Sequence, residues 1–447
     1  MKKLKKSTTN ARRDFLKKSA IGGMGLAFSF SAKSYANILG ANDRVNFAVI
    51  GINGRGQALT HAIADSKNTS LGYLCDVDTR AMEKGIQLFS ERTGKKPKTE
   101  EDFRKLLEIK DVDAIAIATP DHLHAPMAIA GVAAGKHVYV EKPCCHNPQE
   151  GEWLVEAQKK HGKVVQMGNQ QRSAPTSIQA MLDIQEGLIG EVYFGKAWYS
   201  NKRGTIGTGK KVATPEWLNW DLWQGPAPRR DFQDIWVHYN WHWFWHWGTG
   251  EINNNGTHEI DICRWALGVK YPTKVTSNGG RYHFDDDWEF YDTQVANFEF
   301  EGGKMITWEG KSCNPSKYHN RGRGATIHGT KGTILLDRNI YIAWDLDGNK
   351  LKEITENDAS ATTDTVGRGS LDVKHMSNFL DAIREGKQQN SPIDEGYKSN
   401  LLCHLGNISQ KVGRNLLIDP NTGKILGDGE AMQMWGRTYE KGWEPRY

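Results

Sequence analysis

From Val45 onward the chain alternates short apolar runs with segments of helical spacing. Val45 to Ile50 is an apolar run of strand type, broken at Gly51-Ile52-Asn53-Gly54-Arg55-Gly56, after which Gln57 to Asp65 reads as a helix. Ser70 to Cys75 predicts a second strand and Val112 to Ala118 another, followed by a helix over Ala125 to Ala134 and a strand over Lys136 to Val140. Strand-helix-strand units in succession predict a parallel sheet whose strand C-termini line one edge, where ligands bind in open α/β sheets. From Gly190 the pattern changes to alternation. Glu191 to Ser200, Thr273 to Gly280, Asp292 to Phe300, Lys304 to Glu309 and Gly324 to Leu336 predict strands of a mainly antiparallel sheet. Val373 to Glu385 predicts an amphipathic helix and Thr355 to Arg368 a mobile loop. The predicted fold class is α/β, with a parallel-sheet domain over 37–165 and an α+β domain with a large, mainly antiparallel open sheet over 166–447.

Residues 1–36 follow another pattern. Lys2, Lys3, Lys5 and Lys6 lead into Arg12-Arg13-Asp14-Phe15-Leu16-Lys17-Lys18, then a mostly apolar or small stretch from Ala20 to Phe30, then Ser34-Tyr35-Ala36. Basic region, apolar region and small-residue cleavage site are the order of an export signal, and the paired arginines resemble the twin-arginine type. That route carries folded proteins. It predicts a periplasmic or otherwise exported protein that folds around a cytoplasmic cofactor before export and has no membrane association after signal cleavage. The segment holds nine Lys and Arg against one acid, so the formal charge of +5 becomes −3 without it, with 49 basic and 52 acidic residues. Nucleic acid thereby loses its electrostatic case as a partner. With 447 residues, two or three domains are expected, and no run of eighteen apolar residues exists to span a membrane. Six scattered cysteines without Cys-x-x-Cys spacing are expected to be buried thiols.

The glycine turn after the first strand carries the first candidate chemistry. Gly51, Gly54 and Gly56, with Asn53 and Arg55 between them, let the backbone turn sharply and approach a pyrophosphate, whose charge sits on the amides at the helix N-terminus. Asn53 occupies the third position where a glycine is usual, and Gly54 compensates. Asp76 ends the second strand twenty-five residues after Gly51, where a carboxylate accepts both ribose hydroxyls. The cofactor expected is NAD; Arg80 nearby leaves NADP open.

Past the next strand comes Thr119-Pro120-Asp121-His122-Leu123-His124, and the strand at 136–140 runs into Glu141-Lys142-Pro143. With Trp220-Asp221-Leu222-Trp223-Gln224-Gly225-Pro226, Gly248-Thr249-Gly250-Glu251 and Gly256-Thr257-His258-Glu259-Ile260-Asp261 later in the chain, this series resembles the glucose-fructose oxidoreductase, inositol dehydrogenase and MocA (Gfo/Idh/MocA) family. The resemblance implies a Rossmann domain, then an α/β domain whose open sheet supports the substrate site, and a homodimer or homotetramer. It implies that Thr119, Pro120, His122, His124, Glu141 and Lys142 bind cofactor, that Lys142 is the active-site lysine and that His258 is the catalytic histidine. The aspartate usual four residues before that histidine is Asn254 here, which orients a histidine by hydrogen bonds but takes no proton. Glu251 and Tyr239 are then further candidates for acid/base work. Read from the residues alone, Lys142 follows a buried strand at the cofactor edge, where desolvation lowers its pKa.

Eight of the sixteen tryptophans fall between residues 217 and 247. Aromatic faces stack on the C–H faces of sugar rings while interleaved His and Asn supply directional hydrogen bonds, so carbohydrate is the candidate substrate, with Trp241, His242, Tyr239 and Glu251 as candidate contacts. Most of the tryptophans read as core. His238, His242 and His246 recur every four residues and on a helix would share one face, though no metal is assigned to them. Asn253-Asn254-Asn255 and Asp285-Asp286-Asp287 read as solvated turns.

The chemistry these features imply is hydride removal from a carbinol carbon with a base taking the hydroxyl proton. Because free nicotinamide is scarce outside the cytoplasm, a tightly bound, internally recycled cofactor is expected. The leading expectation is an NAD(P)-dependent oxidoreductase acting on CH–OH groups of a sugar, glycoside or polyol. The alternatives are a redox-neutral glycosidase or lyase working by oxidation, elimination and reduction, and a non-catalytic sugar or dinucleotide sensor. Glu141-Lys142-Pro143 favours the first and Asn254 the second.

Overall fold

Two sheets organise the chain, and the computed structural model describes residues 44–356 and 370–446 of it. The export signal predicted over 1–36 lies outside the described residues, as does most of the loop predicted over Thr355 to Arg368. The first sheet has six parallel strands, β1 (Val45–Ile50), β2 (Thr69–Cys75), β3 (Lys98–Glu100), β4 (Ala114–Ile117), β5 (His137–Val140) and β6 (Val165–Met167), in the order β3-β2-β1-β4-β5-β6. Helices α1 (Arg55–Asp65), α2 (Thr79–Thr93), α3 (Phe103–Leu107), α4 (Asp121–Ala133) and α5 (Pro148–His161) connect them in sequence. Crossover helices bury both faces, which is why β4 is apolar at every position and buried throughout. Strand order reverses between β1 and β4, and this switch point opens a crevice at their C-terminal ends.

Local chemistry sets the helix ends. Asp78 accepts from the Arg80 and Ala81 amides to cap α2, and Asn147 with Pro148 starts α5.

The second sheet has ten strands: β7 (Val192–Ser200), β8 (Lys274–Gly280), β9 (Thr293–Phe300), β10 (Lys304–Lys311), β11 (Arg323–Gly329), β12 (Gly332–Asp337), β13 (Ile340–Asp345), β14 (Lys350–Thr355), β15 (Leu416–Ile418) and β16 (Ile425–Leu426). Their order is β14-β13-β12-β11-β7-β10-β9-β8-β15-β16, antiparallel except where β10 runs parallel to β7. The single strand expected over Gly324 to Leu336 is a hairpin, because Gly329 to Gly332 turns the chain between β11 and β12. Along β9, Gln294, Ala296, Phe298 and Phe300 are buried while Val295, Asn297 and Glu299 face outward, the period-two signature of a half-covered sheet.

Four further helices matter for the site: α6 (Pro175–Gln185), α7 (Trp220–Gln224), α8 (Thr257–Leu267) and α9 (Ser370–Glu385). Helix α8 packs on β7 and β11. Helix α9 returns to the first sheet, where Met376, Phe379 and Leu380 share a core with Phe47, Val49 and Tyr139. All six cysteines are buried and unpaired. Among the described residues no helix is long and apolar enough to cross a membrane.

Candidate active site

A cleft of about 1170 Å3 starts at the crevice between β1 and β4 and reaches the residues around α8 and β11. Its floor is the glycine turn. At Gly51, with φ +83, a Cβ would stand 2.7 Å from the Ala118 carbonyl carbon and oxygen and 2.8 Å from the Thr119 nitrogen, so no side chain fits there. Gly54 has φ +43, and nothing lies within 4 Å of where its Cβ would stand. That open space in front of the α1 N-terminus, with Asn53 and Arg55 beside it, suits the phosphates of a dinucleotide. Asp76 completes the cradle. It lines the cleft while its oxygens accept from the Ile52 amide at 2.6 Å and the Asp78 amide at 2.9 Å. Burial pushes its carboxyl pKa up, against those two bonds. A carboxylate has lone pairs beyond these for ribose hydroxyls. Arg80 is engaged elsewhere, on Asp78 and over the Trp217 ring at 3.3 Å.

The ends of β4 and β5 bring the ionisable groups together. Glu141 accepts from Arg55 Nε at 2.7 Å and from Gln170 at 3.0 Å, and the remaining Arg55 nitrogens grip Asp372 of α9. Burial alone would lower the Arg55 pKa; the two carboxylates hold it above its ordinary value. Lys142 Nζ donates to the Asn254 carbonyl at 2.6 Å and to Asn254 Oδ1 at 3.2 Å. Burial lowers the Lys142 pKa, opposed by Glu141 and Asp121. Asp121, the first residue of α4, accepts from Thr249 Oγ1 at 2.5 Å, and burial raises its pKa to about 7. His258, in the first turn of α8, has a buried Nδ1 without a partner. Burial, and then the positive charges of Arg338, Arg323, Lys142 and Arg55, hold its pKa well below 6.5, so the imidazole is neutral.

Asn254 has a structural reason to be an amide. Its Oδ1 takes the Lys142 bond while its Nδ2 donates to Glu251 at 3.3 Å. An aspartate here would put two carboxylates within contact distance. The Asn253-Asn254-Asn255 run, expected as a solvated turn, is instead part of a π-helical turn over Ile252–Gly256 in which Asn253 and Asn254 are buried. It is buried because α8 continues from it.

The structure brings Gly51, Asn53, Gly54, Arg55, Asp76, Thr119, Pro120, His124, Glu141, Lys142, Tyr239, Trp241, His242, Asn254 and His258 onto the cleft. Three expected contacts fall elsewhere. Gly56 packs behind the turn, where a Cβ would lie 1.8 Å from the Gly51 oxygen; its role is close approach of α1 to β1. His122 is fully buried with Nε2 on the Trp223 carbonyl at 2.9 Å and Nδ1 on the Trp247 carbonyl at 3.3 Å, so it fastens the aromatic segment to α4. Glu251 is buried beneath the cleft, where Arg203 Nε donates to it at 2.7 Å and Ser312 at 3.1 Å. Burial pushes the Glu251 carboxyl up, but Arg203 holds it below its ordinary range. His124 lines the cleft with its nitrogens turned to the carbonyls of Pro143, at 2.6 Å, and Thr119, at 2.7 Å, tying the two strand ends together.

His238, His242 and His246 do not share a helical face. Only Asn240–Trp243 is helical, as one 3-10 turn, and the three rings turn to Asp78, the Tyr239 carbonyl and the Pro228 carbonyl. Trp223, Trp236, Trp243 and Trp247 are core, while Trp241 stacks on His242 at 3.6 Å and both face the cleft. Tyr239 is held at φ 118, a strained backbone for a non-glycine residue, with its hydroxyl accepting from Arg203 at 2.6 Å. Arg203, Arg323, Arg338 and Asp372 had no signal in the sequence, since each reaches the cleft from a separate loop, strand or helix, and Asp121 stands within the Thr119–His124 motif without being singled out there.

Comparison with known proteins agrees with this geometry. The profile described as oxidoreductase family, NAD-binding Rossmann fold, matches residues 45–169, and that described as oxidoreductase family, C-terminal alpha/beta domain, matches residues 192–445. A relative from Tannerella forsythia named alpha-N-acetylgalactosaminidase is 24% identical over 431 residues, covering 86% of this chain and 90% of that protein. A glycosyl hydrolase family 109 protein from Saccharopolyspora erythraea is 26% identical over 259 residues, covering 52% of this chain and 56% of that protein. Among solved structures, levoglucosan dehydrogenase in complex with NADH and levoglucosan has the same fold, with a TM-score of 0.65 at 19% identity over 84% of this chain and 99% of that one. The glycine turn, the carboxylate after β2 and the lysine after β5 all lie within the stretch matched by the NAD-binding Rossmann fold, and the chain belongs to the Gfo/Idh/MocA family of oxidoreductases.

Proposed function

We propose that this protein moves a hydride between bound NAD and a carbon of a carbohydrate, with Lys142 exchanging the hydroxyl proton. The observation that carries the reading is Lys142 itself: a desolvated ammonium at the cofactor edge, held at 2.6 Å on the Asn254 carbonyl with neutral His258 lining the same cleft. NAD, held by Gly51, Gly54 and Asp76, supplies the hydride acceptor when bound. Lys142 in its free-base form takes a proton that hydride loss acidifies, and His258, unprotonated, accepts a hydrogen bond or a second proton. Trp241 and Tyr239 give the ring a face, and His242 a polar edge.

A second reading has its own support. The relative that spans 86% of the chain is named as a glycosidase, which fits a cycle in which oxidation of a ring hydroxyl to a ketone acidifies the adjacent C–H, loss of that proton expels the glycosidic substituent to leave an unsaturated keto sugar, water adds back at the anomeric carbon, and the hydride returns to the ketone. Both readings share the first hydride step and a cofactor that stays bound, and both suit the export that residues 1–36 suggest. Incubation with a panel of aldoses and aryl glycosides, followed by mass spectrometry, separates them: a keto sugar marks net oxidation, and a released aglycone without NADH marks the redox-neutral cycle. Binding without either product refutes both.

A further inference from the structure

The wall of the cleft beyond His258 carries more positive charge than its own carboxylates balance. Arg203 is matched by Glu251, Arg321 by Asp337 at 2.9 Å, and Arg323 by Glu259 at 2.7 Å. Arg338, in the turn between β12 and β13, lines the same wall, and among the described residues its guanidinium has no hydrogen bond or ion pair. Its main chain is fixed, with its carbonyl accepting from Thr176 at 3.1 Å and its amide donating to Asp337 at 2.7 Å. The carboxylates whose charge acts on Arg338 already face other guanidiniums, Glu259 that of Arg323, Asp337 that of Arg321 and Asp372 that of Arg55, although Glu259 keeps one oxygen, Oε2, without a hydrogen bond among the described residues. Burial, with Arg323 close by, lowers the Arg338 pKa to about 10, the mark of a cation short of a counter-charge. A planar guanidinium in this state is a fork for a carboxylate or sulfate.

We infer that the carbohydrate taken by this site carries an anionic group, a carboxylate or a sulfate, which docks on Arg338 next to Arg323 and His258. The inference rests on the carbohydrate reading proposed above and names the substrate class within it. The same chemistry could serve a cofactor phosphate, so the test separates the two sources. Purified protein with its cofactor is titrated calorimetrically with sodium glucuronate and galacturonate, with glucose and galactose, and with sodium sulfate as competitor; NAD retained through desalting is measured alongside. The uronates are expected to bind on the order of tenfold or more tightly than the neutral hexoses, a difference typical of one charge-assisted pair. Sulfate should compete, Arg338→Gln should erase the difference with NAD retention unchanged, and Arg338→Lys should keep part of it. Equal affinity for acidic and neutral sugars, no binding of either uronate, or an Arg338→Gln protein that loses NAD but keeps the preference overturns the inference. If uronate binding depends on Arg338 yet no sugar reduces the cofactor, the hydride-transfer reading fails and this one stands.

Discussion

Replacing Lys142 by methionine keeps the length and the apolar stem of the side chain and removes one ammonium. Two hydrogen bonds go with it, at 2.6 and 3.2 Å, leaving the Asn254 carbonyl and amide oxygens without their donor. An orphaned buried acceptor costs about 1–3 kcal/mol, which a thermal melt of the variant should show as a modest loss. The effect on chemistry should be larger. A positioned acid/base group contributes roughly 10²–10⁴ in rate. At about 1.4 kcal/mol per decade that is some 3–5 kcal/mol of barrier. Neutral His258 remains on the cleft, so a residual rate is expected. NAD content should change little, because the Gly51, Gly54 and Asp76 cradle is not bonded through Lys142 Nζ. The assay is the single-turnover change in absorbance at 340 nm on mixing with substrate. Because burial lowers the Lys142 pKa below 10.5, the wild-type rate should rise with pH and level off below that value, and the methionine variant should lose this limb. A variant within threefold of wild type, with NAD bound, would refute the assignment of the proton to Lys142.

Gly51→Ala combines a left-handed φ with a Cβ 2.7 Å from the Ala118 carbonyl, so a loss of about 2–5 kcal/mol is expected, read as a lowered melting temperature with little NAD copurifying. Glu251→Ala leaves Arg203 buried without its carboxylate; a stability loss of about 3–5 kcal/mol is predicted, and chemical denaturation measures it. Wild-type stability should fall as pH drops from 6.5 to 4. Burial depresses the His375 pKa from 6.5 to about 4, so its neutral form contributes stability fully above 6.5, and that contribution, up to about 3 kcal/mol, is lost as the unfolded chain gains a proton the folded chain does not take. His375→Gln should show a shallower slope in that interval, and an unchanged slope would contradict the assignment.

Much of the fold was legible because its signals are local. An apolar run before Gly51, a carboxylate after the next strand and a change to period-two alternation after Gly190 are each read from a short stretch of chain, and β1, β2 and β7 through β10 lie close to where the pattern puts them. The errors lie where tertiary contacts override the local pattern. Three successive asparagines look like a solvated turn until α8 continues from them. The motif at Thr119–His124 points to His122 as a cofactor contact and the loss of an aspartate at Asn254 points to Glu251, yet burial turns both onto protein partners. Arg55 was legible as a cleft residue, but its partner Asp372 lies 317 positions away, beyond any spacing argument.

The central claim, that hydride passes between a carbohydrate carbon and the nicotinamide held beside Lys142, is tested most directly by isotope transfer. Protein with bound NAD is mixed with a perdeuterated sugar or glycoside substrate, quenched in the first turnover, and the extracted cofactor is weighed by mass spectrometry. The account predicts NADH carrying one deuterium, formed in wild type and strongly reduced in Lys142→Met, whether the cycle ends in net oxidation or in cleavage. Product formation with no deuterium on the cofactor would contradict it.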